Sequence, residues 1–148
     1  AMKSEIPKMI KSDPFIKSLW KEIELSPKNK NEKLMLGFKY FLNLWVENKI
    51  IVEGIIPWRD FRKNVRSALN VILENTKKNQ NVGVFSSGGT ISSITAESLK
   101  ISDEMKIADL NFSIKNTSFT SFYHNKEKFN LLSFNEIPHL EKNMVTFV

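Results

Sequence analysis

The sequence predicts a mixed α/β domain, helical in its first half and ordered as strand, helix, helix and β-hairpin in its second. Three observations carry this. Up to Ile72, apolar residues recur at helical spacings of three and four. From Val82 onward they gather into short β-branched and aromatic runs that suit strands. Between the halves stands Ser86-Ser87-Gly88-Gly89, a glycine turn joining an expected strand to an expected helix.

Asp13-Pro14 supplies an N-cap and a proline at the first helical position, and Ser26-Pro27 stops the helix it opens. Phe15, Leu19 and Trp20 form that helix's apolar stripe, and Asn29 to Glu32 make a polar connector. Leu34, Phe38, Phe41, Leu42 and Trp45 give a wide apolar face to one long helix ending near Asn48-Lys49. Pro57 opens a third helix that runs to about Lys77. Phe61, Val65, Leu69 and Ile72 face the core, and Arg59, Arg62 and Arg66 are expected at the surface or in ion pairs.

Val82 to Phe85 reads as a strand apolar on both faces, which belongs inside a sheet with strands on either side. A helix is expected near Thr90 to Leu99, and Ser102 is read as the N-cap of a short helix through Ile107. Phe112 to Phe122 and Lys128 to Phe134 have strand-like composition. The polar link His124-Asn125-Lys126-Glu127 joins them as a hairpin, with His124 facing solvent. Three strands are few for so many amphipathic helices. A second chain or a missing segment is therefore expected at the edge of Val82–Phe85, and a symmetric dimer is the expected assembly.

A length of 148 residues fits one domain, with 41% hydrophobic and 26% charged residues. No apolar run reaches the roughly 18 residues of a membrane span, and the polar start Met2-Lys3-Ser4-Glu5 is no secretory signal. Without cysteine there is no disulfide, thiolate zinc site or cysteine nucleophile, a composition that fits the cytoplasm. His124 and His139 stand too far apart for a metal site, and no cofactor is expected. The charge of +6 and pI near 9.5 lie in short scattered lysine blocks such as Lys77-Lys78. Clustered charge is what tracks a phosphate backbone, so nucleic acid is not an expected partner.

The chemistry lies at Val82 to Ile94. A strand, a tight glycine turn and a helix N-terminus make an anion pocket, because the first N–H groups of the helix have no intrahelical partner. Ser87, Gly88 and Gly89 are the expected phosphate-binding residues, the glycines permitting close approach of backbone to ligand.

Four segments, in order, resemble the C-terminal half of the histidine phosphatase (phosphoglycerate-mutase-like) superfamily. They are Pro57 to Val65, Val84-Phe85-Ser86-Ser87-Gly88-Gly89-Thr90-Ile91, Asn111 to Phe122 with Asn116-Thr117-Ser118, and Leu131 to Leu140. The resemblance covers 57–148, while 1–56 looks like a helical insertion of the same single domain. It implies a three-layer fold, phosphomonoester hydrolysis without a metal, and phosphorylated small molecules as ligands. It also places Glu53 near the family's loop carboxylate, a proton donor, and His139 at a structural position. Two departures matter. The family's Arg-His-Gly, whose His is phosphorylated, is absent from the sequence, as though the first strand were missing. Ser87 stands where most members carry a second His, in the manner of a serine subgroup. A neutral hydroxyl cannot supply the charge-assisted bond of an imidazolium, and because no histidine sits in the phosphorylatable motif the chain alone is expected to be inactive. The alternative is a non-catalytic module that binds a phosphorylated ligand or a partner.

Overall fold

The computed structural model describes residues 8–9, 11–26, 28–125 and 127–147. Among the described residues it is a mixed α/β structure of five α-helices and a two-stranded antiparallel sheet. The chain forms two compact units, Ala1–Trp58 and Arg59–Val148. None of the described helices is long and apolar enough to cross a membrane.

In the first unit, α1 (Pro14–Leu25) opens as expected. Asp13 is extended, its carboxylate accepts from the Ile16 N–H at 3.0 Å, and Pro14 follows at a position where a missing N–H costs nothing. Its buried face is Ile16, Leu19 and Ile23, one register away from the expected Phe15, Leu19 and Trp20. Phe15 instead lies at the flank, its ring 4.5 Å from that of Tyr40. Trp20 keeps its indole N–H outward, bonded to Glu24 Oε1. Pro27 lies outside the described residues. Helix α2 (Lys30–Val46) packs on α1 and buries Phe41 and Leu42. It stops where expected because Asn48 takes a left-handed φ of 57° and the Lys49 N–H returns to the Leu44 carbonyl. The exit is pinned by the Trp45 indole, which donates to the Ile56 carbonyl and packs edge-on against Trp58.

In the second unit, α3 continues from its start at Trp58 to Asn75, burying Val65 and Leu69. Helix α4 (Gly88–Leu99) packs on both α5 (Glu104–Asn111) and the sheet. Its buried side chains are all small: Gly88, Ser92, Ser93, Thr95 and Ala96. That lets neighbouring backbones come close. Lys100, at φ 56°, ends the helix by turning the Ile101 N–H back to the Ala96 carbonyl. The cap of α5 is Asp103, not Ser102: its carboxylate accepts from the N–H groups of Met105 and Lys106, a stronger acceptor than a hydroxyl.

Strands β1 (Phe119–His124) and β2 (Phe129–Glu136) form the expected hairpin, paired Tyr123↔Asn130 and Phe122↔Leu131. Asn125 builds the turn by accepting from the N–H groups of Glu127 and Lys128, and Lys126 lies outside the described residues. His124 does not face solvent. It ends β1 half-buried beside Phe129, with Nδ1 buried and without a hydrogen-bond partner among the described residues. The region before β1 is not a continuous strand from Phe112. It is a turn and a bridge, Lys115 to Phe147, stapled by Asn135, whose side chain accepts from the Lys115 N–H and donates to the Ser113 carbonyl.

The largest correction concerns Val82–Phe85. Among the described residues they pair with no strand and belong to no sheet, and Val82, Val84 and Phe85 are 52, 56 and 103% exposed. A strand is held by its neighbours' N–H and C=O groups, and among the described residues none stands alongside.

Candidate functional site

The site is built on the first turn of α4. Ser87 is the N-cap, extended at φ −88° and ψ 163°, and its carbonyl accepts the first intrahelical bond from the Ile91 N–H at 3.0 Å. Its side chain does not cap the helix. The hydroxyl lies 3.4 Å from Thr90 Oγ1 instead. Asp13 and Asp103, by contrast, satisfy the first N–H groups of α1 and α5. Among the described residues the first N–H groups of α4 therefore carry no side-chain acceptor, and the positive end of the helix dipole is left open at an exposed serine.

A family model, that of the histidine phosphatase superfamily (branch 1), matches residues 31–137. The chain belongs to this superfamily. No curated protein and no solved structure matches it. The matched span begins within the helical segment before Pro57 and runs through Ser87-Gly88-Gly89 to the end of β2.

In this superfamily member the two glycines have different reasons. Neither takes a positive φ, so conformational freedom does not explain them. A Cβ on Gly88 would stand 2.6 Å from Asn111 Oδ1 and 3.6 Å from Ile114 Cβ. A side chain at 88 would therefore displace the end of the side chain of Asn111, the last residue of α5, which sequence reasoning missed. Its signal was its place at the end of a short helix, visible only once that helix is folded back on α4. Gly89 is freer, since a Cβ there would make ordinary contact with Phe61 at 3.5 Å. The Ser93 hydroxyl donates to the Gly89 carbonyl at 2.8 Å and ties the first turn of α4 to its second.

The arginines of α3 serve the other end of α4. Arg62, 7% exposed, donates through Nη1 to the Ser93 carbonyl, through Nη2 to Glu97 and through Nε to Glu104, each at 3.1 Å. Arg66 bonds Glu97 at 2.8 Å, and that carboxylate raises its already high pKa. Both are ion-paired, as expected, and Arg59 is exposed.

Glu53 belongs to the first unit. It is exposed in a turn, Val52 to Ile55, closed by the Ile55 N–H to the Val52 carbonyl with Gly54 at φ 77°. Ser87, Gly88 and Gly89 belong to the second unit. His139 is exposed, its Nε2 3.1 Å from the Thr117 hydroxyl and its ring edge-on to Phe119. Among the described residues, no group of three or more Asp, Glu and His could hold a metal ion.

Proposed function

We propose that this chain carries the phosphate-binding half of a phosphomonoesterase site, centred on Ser87, Gly88 and Gly89. The open N-terminus of α4 is the observation that carries the reading. Its first backbone N–H groups would donate to a bound phosphate, the helix dipole would favour the negative charge, and the Ser87 hydroxyl would add a neutral hydrogen bond. Gly88, held by Asn111, keeps side-chain bulk off the first turn.

Turnover by a phosphohistidine route needs a neutral imidazole in line with phosphorus, cations on the equatorial oxygens and an acid for the leaving oxygen. His124 lies against Phe129 and His139 is engaged with Thr117 and Phe119. Arg62 and Arg66 are occupied by Glu97 and Glu104. The chain by itself therefore binds a phosphomonoester without hydrolysing it, and the nucleophile comes from an Arg-His-Gly segment outside this sequence. The ligand is a phosphorylated small molecule.

The test is direct. Purified chain should show no hydrolysis of an aryl phosphate above blank, while inorganic phosphate should shift the amide resonances of Gly88, Gly89 and Thr90. Hydrolysis abolished by Ser87→Ala would overturn the inactive reading, and phosphate shifts elsewhere but not here would overturn the site. A second reading is a purely binding module on the same fold. It is favoured by Ser87 standing where an imidazole would be expected. Adding a separate Arg-His-Gly polypeptide distinguishes the two, since only the incomplete enzyme gains activity.

A further inference from the structure

We propose that the cavity between α1 and α2 binds a small amphiphile, a short aliphatic chain bearing a carboxylate that Lys33 holds. The inference goes beyond the phosphate site and does not depend on it.

The cavity lies within the first unit and holds about 310 Å³. Small-molecule sites begin at roughly that size. Its walls include Ile16, Leu19 and Ile23 of α1 and Leu34, Phe38 and Phe41 of α2. A cavity lined in this way stays dry and takes apolar guests. The two helices come close at Gly37, where a Cβ would stand 3.1 Å from Leu19 Cδ2. On α2 the lining runs from Lys33 to Phe41, about 12 Å at the helical rise of about 1.5 Å per residue. A short alkyl chain fits that length.

The charge at one end selects the head group. Among the described residues Lys33 is the one charged side chain lining the cavity, and it is 22% exposed. An ammonium has three protons to donate. Lys33 Nζ donates to the Glu22 carbonyl at 3.3 Å and lies 3.5 Å from Glu22 Oε2, both long for a charged donor. Glu22 is 58% exposed, so an exposed ion pair of little strength gives way to a carboxylate delivered from the cavity side. Lys33 also stands in the first turn of α2, whose N-cap residue, Asn29, makes no side-chain bond to the helix. The positive end of the α2 dipole therefore lies beside the ammonium. From Ser26 to Lys33 the chain carries Lys28, Lys30 and Lys33 against Glu32 alone. The apolar walls select a hydrocarbon tail, and this end selects an anion over a neutral or cationic head. A single half-buried ammonium matches a carboxylate, whereas a doubly charged phosphate would leave charge unmet beside apolar walls.

Calorimetric titration of the full chain with octanoate, octanol and octyltrimethylammonium tests this. Octanoate should bind about tenfold tighter than octanol, the worth of one charge-assisted hydrogen bond, and the cationic amphiphile should bind more weakly than either. Lys33→Met should bring octanoate down to the level of octanol and leave octanol binding in place, which shows that the variant is folded. Methyl resonances of Ile16, Leu19 and Ile23 should shift with octanoate. A chain that binds no octanoate overturns the proposal. So does equal affinity for octanoate and octanol, or a preference that survives Lys33→Met. Octanoate shifts at the Gly88 and Gly89 amides with none at the three methyl-bearing residues also overturn it.

Discussion

The side-chain oxygen of Asn111 lies 2.6 Å from the place where Gly88 would carry a Cβ. Two helices, α4 and α5, meet at that point, and the first turn of the proposed phosphate cradle is fitted to the end of its neighbour. Asn111 Oδ1 is the end of a flexible side chain and can turn aside, so Gly88→Ala should destabilise the second unit by about 1 kcal/mol or less, the low end for overpacking a close contact. Pairing it with Asn111→Gly should recover most of the loss. Gly89→Ala should be neutral or stabilising by up to about 1 kcal/mol, since alanine gains helix propensity and meets Phe61 only at contact distance. Urea unfolding of the three variants reads all three outcomes.

Arg62 sits buried among the Ser93 carbonyl, Glu97 and Glu104. Replacing it by Met leaves two carboxylates without their shared cation. Glu97 and Glu104 are partly exposed and can rehydrate. The expected cost is about 2–3 kcal/mol, below the full penalty for breaking a buried pair. Arg66→Ala, at an exposed position, should cost less than about 1 kcal/mol. Equal losses at the two positions would show that burial does not govern the network.

Tyr40 donates its hydroxyl to Asp13 Oδ2 at 3.0 Å, so one carboxylate caps α1 and anchors α2. The bond to Asp13 raises the phenol pKa above its ordinary value, with a smaller contribution from desolvation. A proton held more tightly in the folded state stabilises the fold below the unfolded phenol pKa of about 10. That contribution is lost as pH rises through the higher folded value. Thermal stability of the first unit should fall on alkaline titration beyond that point, and Tyr40→Phe should remove this part of the fall. Phenolate absorbance should show one of the two tyrosines titrating later than a free phenol. Asp13→Ala should restore the ordinary value and cost about 1 kcal/mol through the lost cap.

Ser87→Ala tests the cradle without disturbing the fold, because its hydroxyl makes no capping bond. Phosphate affinity, followed through the Gly88 and Gly89 amides, should fall only a few-fold, matching about 0.5–1.5 kcal/mol for one neutral hydrogen bond. A much larger loss would mean that the hydroxyl, and not the backbone N–H groups, holds the anion.

The helices were legible because their signals are local. Asp13-Pro14 starts α1, Asn48 ends α2, and the stripe of Val65 and Leu69 faces inward in α3. The hairpin was legible for the same reason, since Asn125 closes its turn on residues two and three places on. Finer choices were not. Which register of α1 is buried depends on what α2 brings to it, and the Asp103 cap won over Ser102 only through the geometry of its carboxylate. His124 was misread because a polar link says nothing of the Phe129 ring packed beside it.

By itself the sequence determined the element order, the turn at Ser87-Gly88-Gly89, the absence of Arg-His-Gly and the superfamily to which these belong. Only the tertiary structure decided that Asn111 closes on Gly88 and where Arg62 spends its charge. It also left Val82–Phe85 outside any ladder among the described residues. A helix closes its hydrogen bonds within its own segment and a turn within a few residues, so both can be read locally. A strand needs partners distant in the chain, and a run of apolar residues states the demand for them without supplying them.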